Sequence, residues 1–235
     1  MFEERMKNGT AAKALMLRRG WLSRMKPAFQ RRVIEQCQYR VVPAGEQIYS
    51  LGDVAGGMFG FVSGGVAVEI APAERGPYVA SLLIPGSWFG EIAALSGQQR
   101  RVGMKATRET ELLYLPSSAV NVILAENPEA WRHFYLVTVG HFDTAVGLSD
   151  DLMRRDHEER VIGILLHLAG CRRETPVEWL AELDVGQEQL ANIANVARTT
   201  LGATLRGLEQ AGYIDLSYRR IRIKHPDALR SLMNR

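Results

Sequence analysis

The residues best suited to chemistry in this chain lie near its C-terminus. Between Arg198 and Lys224, six basic residues (Arg198, Arg206, Arg219, Arg220, Arg222 and Lys224) stand against two acids, Glu209 and Asp215. Such an excess is either a phosphate-facing patch or a solvated face, and charge alone does not choose between them. The apolar pattern adds more. In the segment Gly186 to Leu208, Leu190, Ala191 and Ile193 form one face of a short helix, and Asn195 falls where the chain must turn. Asn tolerates the left-handed backbone of such a turn. From about Arg198 a second helix turns Leu201, Leu205 and Leu208 inward, and Ala211-Gly212 ends it. A hairpin follows: Tyr213 to Leu216, a turn near Ser217–Arg219, then Arg220 to Ile223, alternating basic and apolar.

Two short helices, a tight turn and a basic hairpin describe a winged helix-turn-helix. Its chemistry is recognition of duplex DNA. The first side chains of the second helix reach base edges in the major groove while flanking cations meet phosphates. Arg198 stands at that helix end and suits a guanine edge. Gln187, Thr199, Thr200 and Ala203 share the expected reading surface, and Arg206, Arg219 and Arg220 are placed for the DNA backbone. The plainer alternative is a small packed domain used for protein contacts.

Other reactive residue types form no pattern. Cys37 and Cys171 have no metal-type spacing and are too few for a disulfide framework. His133 and His141 are eight residues apart on one expected helix, too distant to share a metal. The chain has no Gly-rich phosphate loop, no paired His–Cys metal spacing and no Ser-centred nucleophile motif, so no enzyme activity and no metal are expected.

The elements that must position these residues read as two domains joined by a helix. At 235 residues and 46% hydrophobic, the chain can bury two cores. Net charge is only +3. No apolar run reaches the roughly 18 residues of a membrane span. The first twenty residues are acidic early and lack an apolar block before a cleavage site, so a cytoplasmic location without a secretory leader or membrane partner is expected. Residues 1–35 read as helix through Leu15, Leu22, Met25, Phe29 and Val33, with Pro27 separating two short helices. From Tyr39 to Leu115, short apolar runs alternate with turn residues such as Ser63-Gly64-Gly65, Arg75-Gly76-Pro77 and Pro85-Gly86, which suggests an antiparallel barrel or double-sheet roll.

Asn127-Pro128-Glu129 opens a long helix. Its stripe, Trp131, Phe134, Thr138, His141, Ala145, Leu148 and Leu152, advances in steps of three and four, and Tyr135, Phe142 and Val146 widen it. A second copy of the helix is the economical cover for such a seam, so a symmetric homodimer is expected. Asp156 and Glu159 read as a capping box for the next helix, and Gly170 as its end. The expected division is 1–126, 127–153 for the dimerisation helix, and 154–235 for DNA binding.

From about Phe29 to Leu232 the chain resembles the CRP/FNR family of bacterial regulators. The residues that carry the resemblance are Leu51-Gly52-Asp53, Phe61 to Val66, Ile84 to Ala93, Thr110 to Pro116, Gln187 to Ala191 and Leu208 to Ile214. It implies an α+β chain: an N-terminal cyclic-nucleotide-binding-like β-roll (a double-sheet jelly roll), a long dimerisation helix and a C-terminal winged helix-turn-helix. It also implies a homodimer on a two-fold symmetric DNA site, with RNA polymerase a partner if the protein activates. The alternative is a nucleotide-sensing module acting on a protein partner.

The same resemblance implies an effector pocket at Gly90, Glu91, Ile92, Ala93, Arg100, Arg101, His141 and Ala145. In ligand-binding relatives the Glu accepts from the ribose hydroxyl and the Arg neutralises the cyclic phosphate. Arg101, however, stands where relatives carry Ser or Thr, and Ala145-Val146 replace the hydroxyls offered to adenine. A small effector remains compatible, either a nucleotide with other base contacts or none at all, and cyclic AMP is disfavoured. Single Cys37 excludes the family's iron–sulfur cluster, which needs about four ligands. At the DNA-reading helix, Ala197-Arg198-Thr199-Thr200 and Ala203 depart from the relatives' Ser-Arg-Glu-Thr and later Arg, so a different half-site is expected.

Overall fold

The computed structural model describes residues 2–71, 76–173 and 182–233. They divide into two compact units, Met1–His141 and Phe142–Arg235, and the division falls inside one long helix. Three helices open the chain: α1 (Phe2–Arg18), α2 (Gly20–Ser23) and α3 (Pro27–Glu35). Pro27 does start a helix, where its missing N–H is no loss. A further break at Arg19 divides what the periodicity joined, and this accounts for the long step from Leu15 to Leu22.

The roll is one antiparallel sheet of six strands: β1 (Gln38–Val42), β2 (Gln47–Tyr49), β3 (Met58–Ile70), β4 (Tyr78–Leu83), β5 (Trp88–Phe89) and β6 (Gly103–Leu115). β3 and β6 are the two long strands, and each changes partner along its length. β6 pairs with β2 near Met104 and with β1 from Thr110 to Tyr114. β3 pairs with β5 at Phe59–Gly60 and with β4 from Val66. The sequence-expected turn at Ser63-Gly64-Gly65 lies instead within β3, as a bulge. Gly64 has φ 103°, and a Cβ there would run into the Glu109 carbonyl; the Thr110 hydroxyl accepts from the Gly65 N–H at 3.1 Å. Glycine inside a strand marks this close backbone approach. In the expected turn at Arg75-Gly76-Pro77, Arg75 lies outside the described residues.

Inside the roll, Tyr49, Phe59, Phe61, Phe89, Met104 and Leu112 form one core cluster. The second cluster joins the N-terminal helices to the sheet, to α5 (Ser117–Glu126) and to the start of α6 (Ala130–Leu152). The Asn127 side chain accepts from the Glu129 N–H at 3.2 Å, so the expected cap is formed, although the helix proper starts at Ala130. Phe134 corrects the sequence reading. It is 0% exposed and lies 5.6 Å from both the Trp21 and Phe29 rings. It belongs to its own core and cannot line a dimer seam. The exposed face instead carries Trp131, Tyr135, Leu136, Phe142 and Val146.

The second unit is held by a buried carboxylate. Asp151, fully buried near the end of α6, accepts from Arg172 Nη2 at 2.7 Å and Nε at 2.8 Å, and from Arg154 Nε at 3.3 Å. It faces α7 (His157–Leu168) at Gly163, where a Cβ would come within 2.6 Å of the carboxyl carbon. Asp156 caps α7 by accepting from the N–H groups of Glu158 and Glu159 at 2.8 and 2.9 Å. The Glu159 side chain pairs with Arg154 at 2.9 Å. Gly170, at φ 68°, follows the helix as expected. The remaining elements are β7 (Glu182–Asp184), α8 (Gln187–Ile193), α9 (Arg198–Gln210), β8 (Ile214–Ser217), β9 (Arg220–Ile223) and α10 (Pro226–Leu232).

Asp151→Ala removes the acceptor of three charge-assisted hydrogen bonds from Arg154 and Arg172, whose side chains are only partly buried, and should destabilise the second unit by about 1–3 kcal/mol. Gly163→Ala should also lower its thermal midpoint. Gly207→Ala, with nothing within 4 Å of the added carbon, should leave the midpoint unchanged or raise it. Thermal unfolding followed by circular dichroism checks all three; equal effects of the two glycine variants would contradict the packing described.

Candidate functional site

The C-terminal unit leaves the outer side of its second short helix exposed. α8 and α9 meet at Asn195, whose φ of 49° makes the tight turn. Leu201, Leu205 and Leu208 are buried, so α9 is anchored from behind. Its outer strip, Thr199, Ala203, Arg206 and Gln210 at steps of four and three, is exposed, as is Arg198 at its first turn. Ala197 supplies no side-chain cap, which leaves the first N–H groups of α9 without a side-chain acceptor from that residue. Gln187 is exposed at the first position of α8, and Thr200 is half-buried.

The hairpin β8–β9 forms the wing, with β7 added as a third strand beside β9. This three-residue strand was not foreseen, since it is too short to show periodicity. The wing's cations divide into two groups. Arg220 and Arg222 share Glu182 at 3.8 and 3.0 Å, and Lys224 pairs with Asp215 at 3.3 Å. Glu209 is occupied in accepting from the Leu216 N–H at 2.9 Å. Among the described residues, Arg198, Arg206 and Arg219 have no acidic partner. Both acids of the basic stretch are thus used within the fold.

In the first unit, Gly90 ends β5 in a left-handed conformation (φ 86°) and starts the short helix α4 (Glu91–Ser96). A Cβ at Gly90 would lie 2.7 Å from Arg100 Nη1, so this glycine makes room for the guanidinium. Arg100 is buried; its Nη1 donates to the Gly90 carbonyl and its Nη2 to the Gly57 carbonyl, each at 2.8 Å. The guanidinium lies 4.2 Å from the centre of the Tyr49 ring. Burial pushes the Tyr49 hydroxyl pKa up, against the opposing charge of Arg100. Arg100 Nε is buried without a partner among the described groups.

Glu91 is 1% exposed and accepts from Thr138 at 3.2 Å and from His141 Nδ1 at 3.0 Å, both on α6. Burial lowers the pKa of His141, but hydrogen bonding to Glu91, its charge and a backbone hydrogen bond with Trp88 outweigh that effect, so the net shift is upward. The expected pocket residues therefore only partly converge. Gly90, Glu91, Arg100 and His141 come together. Ala93 is buried, Ile92 is exposed, and Arg101 is exposed with its guanidinium donating to Gln98 at 2.5 Å. Ala145 lies in the second unit and is exposed. Tyr49, Gly57 and Thr138 complete the arrangement and were missed as pocket residues, since all three lie far from Gly90-Glu91 in sequence. The cysteines are buried thiols, with Cys37 pushed up to about 12 and Cys171 to about 11 by burial, and they are poor nucleophiles.

Comparison with known proteins agrees with this geometry. Residues 39–127 match a cyclic nucleotide-binding domain, and residues 159–232 match a Crp-like helix-turn-helix domain. A CRP-like cAMP-activated global transcriptional regulator of Mycobacterium tuberculosis is 21% identical over 223 residues, 92% of this chain and 96% of that one. A cyclic nucleotide-gated potassium channel of Mesorhizobium japonicum is 32% identical over 107 residues, 45% of this chain and 28% of the channel. This chain spans about a quarter of the length of the channel relatives it matches. A solved CRP-family transcriptional regulator of Thermus thermophilus superposes with a TM-score of 0.62 at 21% identity, covering 83% of this chain and 97% of that one. A nucleotide-binding-type roll joined to a Crp-like helix-turn-helix defines a class of regulator. The chain belongs to the CRP/FNR family of transcription regulators. Among the described residues, no helix is long and apolar enough to cross a membrane.

The His141–Glu91 contact has a testable pH signature. A raised histidine pKa gives a stabilisation that is full below about 6.5, the unperturbed value, and is lost as pH rises through the folded value. The urea midpoint of the wild type should exceed that of His141→Gln most below pH 6.5, with the gap narrowing above it. A gap that widens with rising pH would contradict the contact.

Proposed function

We propose that the chain is a sequence-specific DNA-binding regulator of transcription that acts as a homodimer on a two-fold symmetric duplex site. The observation that carries this reading is the exposed strip of α9 together with three cations, Arg198, Arg206 and Arg219, that have no acidic partner among the described residues. Arg198 is assigned to a guanine edge; Gln187, Thr199, Thr200 and Ala203 to the groove surface; Arg206 and Arg220 to phosphates, Arg220 by exchanging its 3.8 Å contact with Glu182; and Arg219 to the duplex beside the half-site. RNA polymerase is a partner if the protein activates. The protein works in the cytoplasm and catalyses no reaction of its own.

Dimerisation is assigned to residues 127–153, between a sensor domain at 1–126 and a DNA-binding domain at 154–235. The seam consists of Trp131, Tyr135, Thr138, Phe142 and Ala145, advancing by four and three, with half-buried Leu148 and Leu152 extending it. An isologous pair of such faces buries them without any further partner.

The roll is assigned to a small effector with an anionic group. Arg100 Nε, buried and unpartnered, is a donor that an anion would satisfy. Cyclic AMP itself fits poorly: Arg101 replaces a hydroxyl donor, and Glu91 already accepts from Thr138 and His141. In thermal titration, cyclic AMP should leave the melting temperature of the protein unchanged; a clear saturable rise would overturn this part of the reading.

Selection from random duplex DNA should enrich a symmetric site with half-sites about one helical turn apart. Arg198→Ala should weaken binding to that site by about tenfold or more with the fold intact. Phe142→Glu should shift the protein from dimer to monomer in sedimentation. An unchanged affinity in Arg198→Ala would remove the assignment of α9, and a dimeric Phe142→Glu variant that of the seam.

A further inference from the structure

The tip of the wing carries a side chain that the assignments above leave unused. Tyr218 is 91% exposed, the highest value among the large hydrophobic side chains described. It makes no hydrogen bond or ring contact among the described residues. It occupies the two-residue loop between β8 and β9, where Ser217 pairs with Arg220. Folding alone gives no reason for an aromatic ring in water at a hairpin tip, where Asn, Asp or Gly would serve.

The loop is a firm mount. Arg219, beside Tyr218, has φ 56°; it and Asn195 are the two non-glycine residues with positive φ among those described. Gly or Asn takes that conformation with less strain. The conformation is nevertheless fixed, because the Arg219 carbonyl accepts from the N–H of buried Val185 at 3.0 Å. Below it, Ile214, Ile221 and Ile223 are buried, and the Leu216 N–H is held by Glu209 at 2.9 Å. Asn195 accommodates its left-handed turn, so the strained position of the pair is Arg219 at the wing tip, in the unit that carries the unpaired cations. Strain maintained at such a place points to a contact outside the fold.

We propose that Tyr218 contacts DNA, with its ring against the deoxyribose edges of the minor groove beside each half-site and Arg219 next to it in the same groove. This inference rests on the DNA-binding reading and adds a specificity-determining residue to it. The chemistry matches on both sides. A phenol has an apolar face for sugar C–H groups and a hydroxyl that can donate to adenine N3 or thymine O2 on the groove floor. A narrow A·T-rich minor groove carries the negative potential that draws in an arginine. Tyr218 and Arg219 together therefore favour A·T pairs flanking the half-site, at positions that α9 does not read.

The test uses the full-length protein and its selected duplex. Tyr218→Ala should weaken binding about tenfold and flatten the flanking A·T preference, with the salt dependence unchanged. Tyr218→Phe should stay within about threefold of wild type, because it keeps the ring. Arg219→Asn, which tolerates the positive φ, should reduce the salt slope by about one. Circular dichroism should be the same for all of them, since neither side chain has a partner within the fold. Tyr218→Ala binding as tightly as wild type, with the flanking preference intact, overturns this inference and leaves the DNA reading standing. A wild-type protein that selects no duplex overturns the DNA reading, and this inference with it.

Discussion

A charge taken out of water must be answered at close range, and most of this structure's particular features follow from three such charges. Glu91, Arg100 and Asp151 are all buried. Left unpaired, each would cost several kcal/mol. Their partners are consequently fixed features of the chain. Glu91 requires Thr138 and His141 on α6, and Arg100 requires two glycine carbonyls and the Tyr49 ring. Asp151 requires Arg154 and Arg172. One helix thus supplies the partners of one buried carboxylate and carries another. α6 is tied within the first unit at Thr138 and His141, and within the second at Asp151. The glycines at 90 and 163 follow from the same constraint, since a side chain at either would occupy space that a charged group needs.

Much of the DNA-facing unit was legible in the sequence because its signals are local. Leu201, Leu205 and Leu208 mark the inner face of α9 with one period, Asn195 marks the turn, and Asp156 marks a cap; each depends on residues within a few positions of itself. The long helix was harder. It is apolar on more than one side, and periodicity cannot say which apolar face meets its own domain. Phe134 and Tyr135 are adjacent and equally suited to a seam, yet Phe134 packs on Trp21 and Phe29 while Tyr135 remains exposed. Only the position of the N-terminal helices separates them, and that is a tertiary fact. Ser63-Gly64-Gly65 misled for a related reason: glycine serves both turns and bulges, and the partner strand decides which.

The effector pocket was legible only in part. Gly90, Glu91 and Arg100 lie within one short stretch and could be identified together. Of the groups that satisfy them, His141 was foreseen, but the others were not, because two are backbone carbonyls and backbone carries no sequence signature. Gly57 contributes through its carbonyl oxygen, so its identity reports the space it leaves and not the bond it makes. Thr138 fits the seam by spacing, and nothing in the sequence shows that its hydroxyl also reaches Glu91.

The outer strip of α9 has a consequence of another kind. Ala203 and Gly207 are exposed and small, and nothing lies within 4 Å of the Gly207 Cβ position. The leucines that hold the helix in place are on the opposite side. Residues that meet the outside world and residues that maintain the fold are therefore almost disjoint sets on this helix. Such a surface can drift under mutation without endangering its scaffold, so on the DNA-reading assignment proposed for it, single substitutions there would change target preference and leave the fold intact. The strip is where divergence between paralogues would be expected to accumulate first.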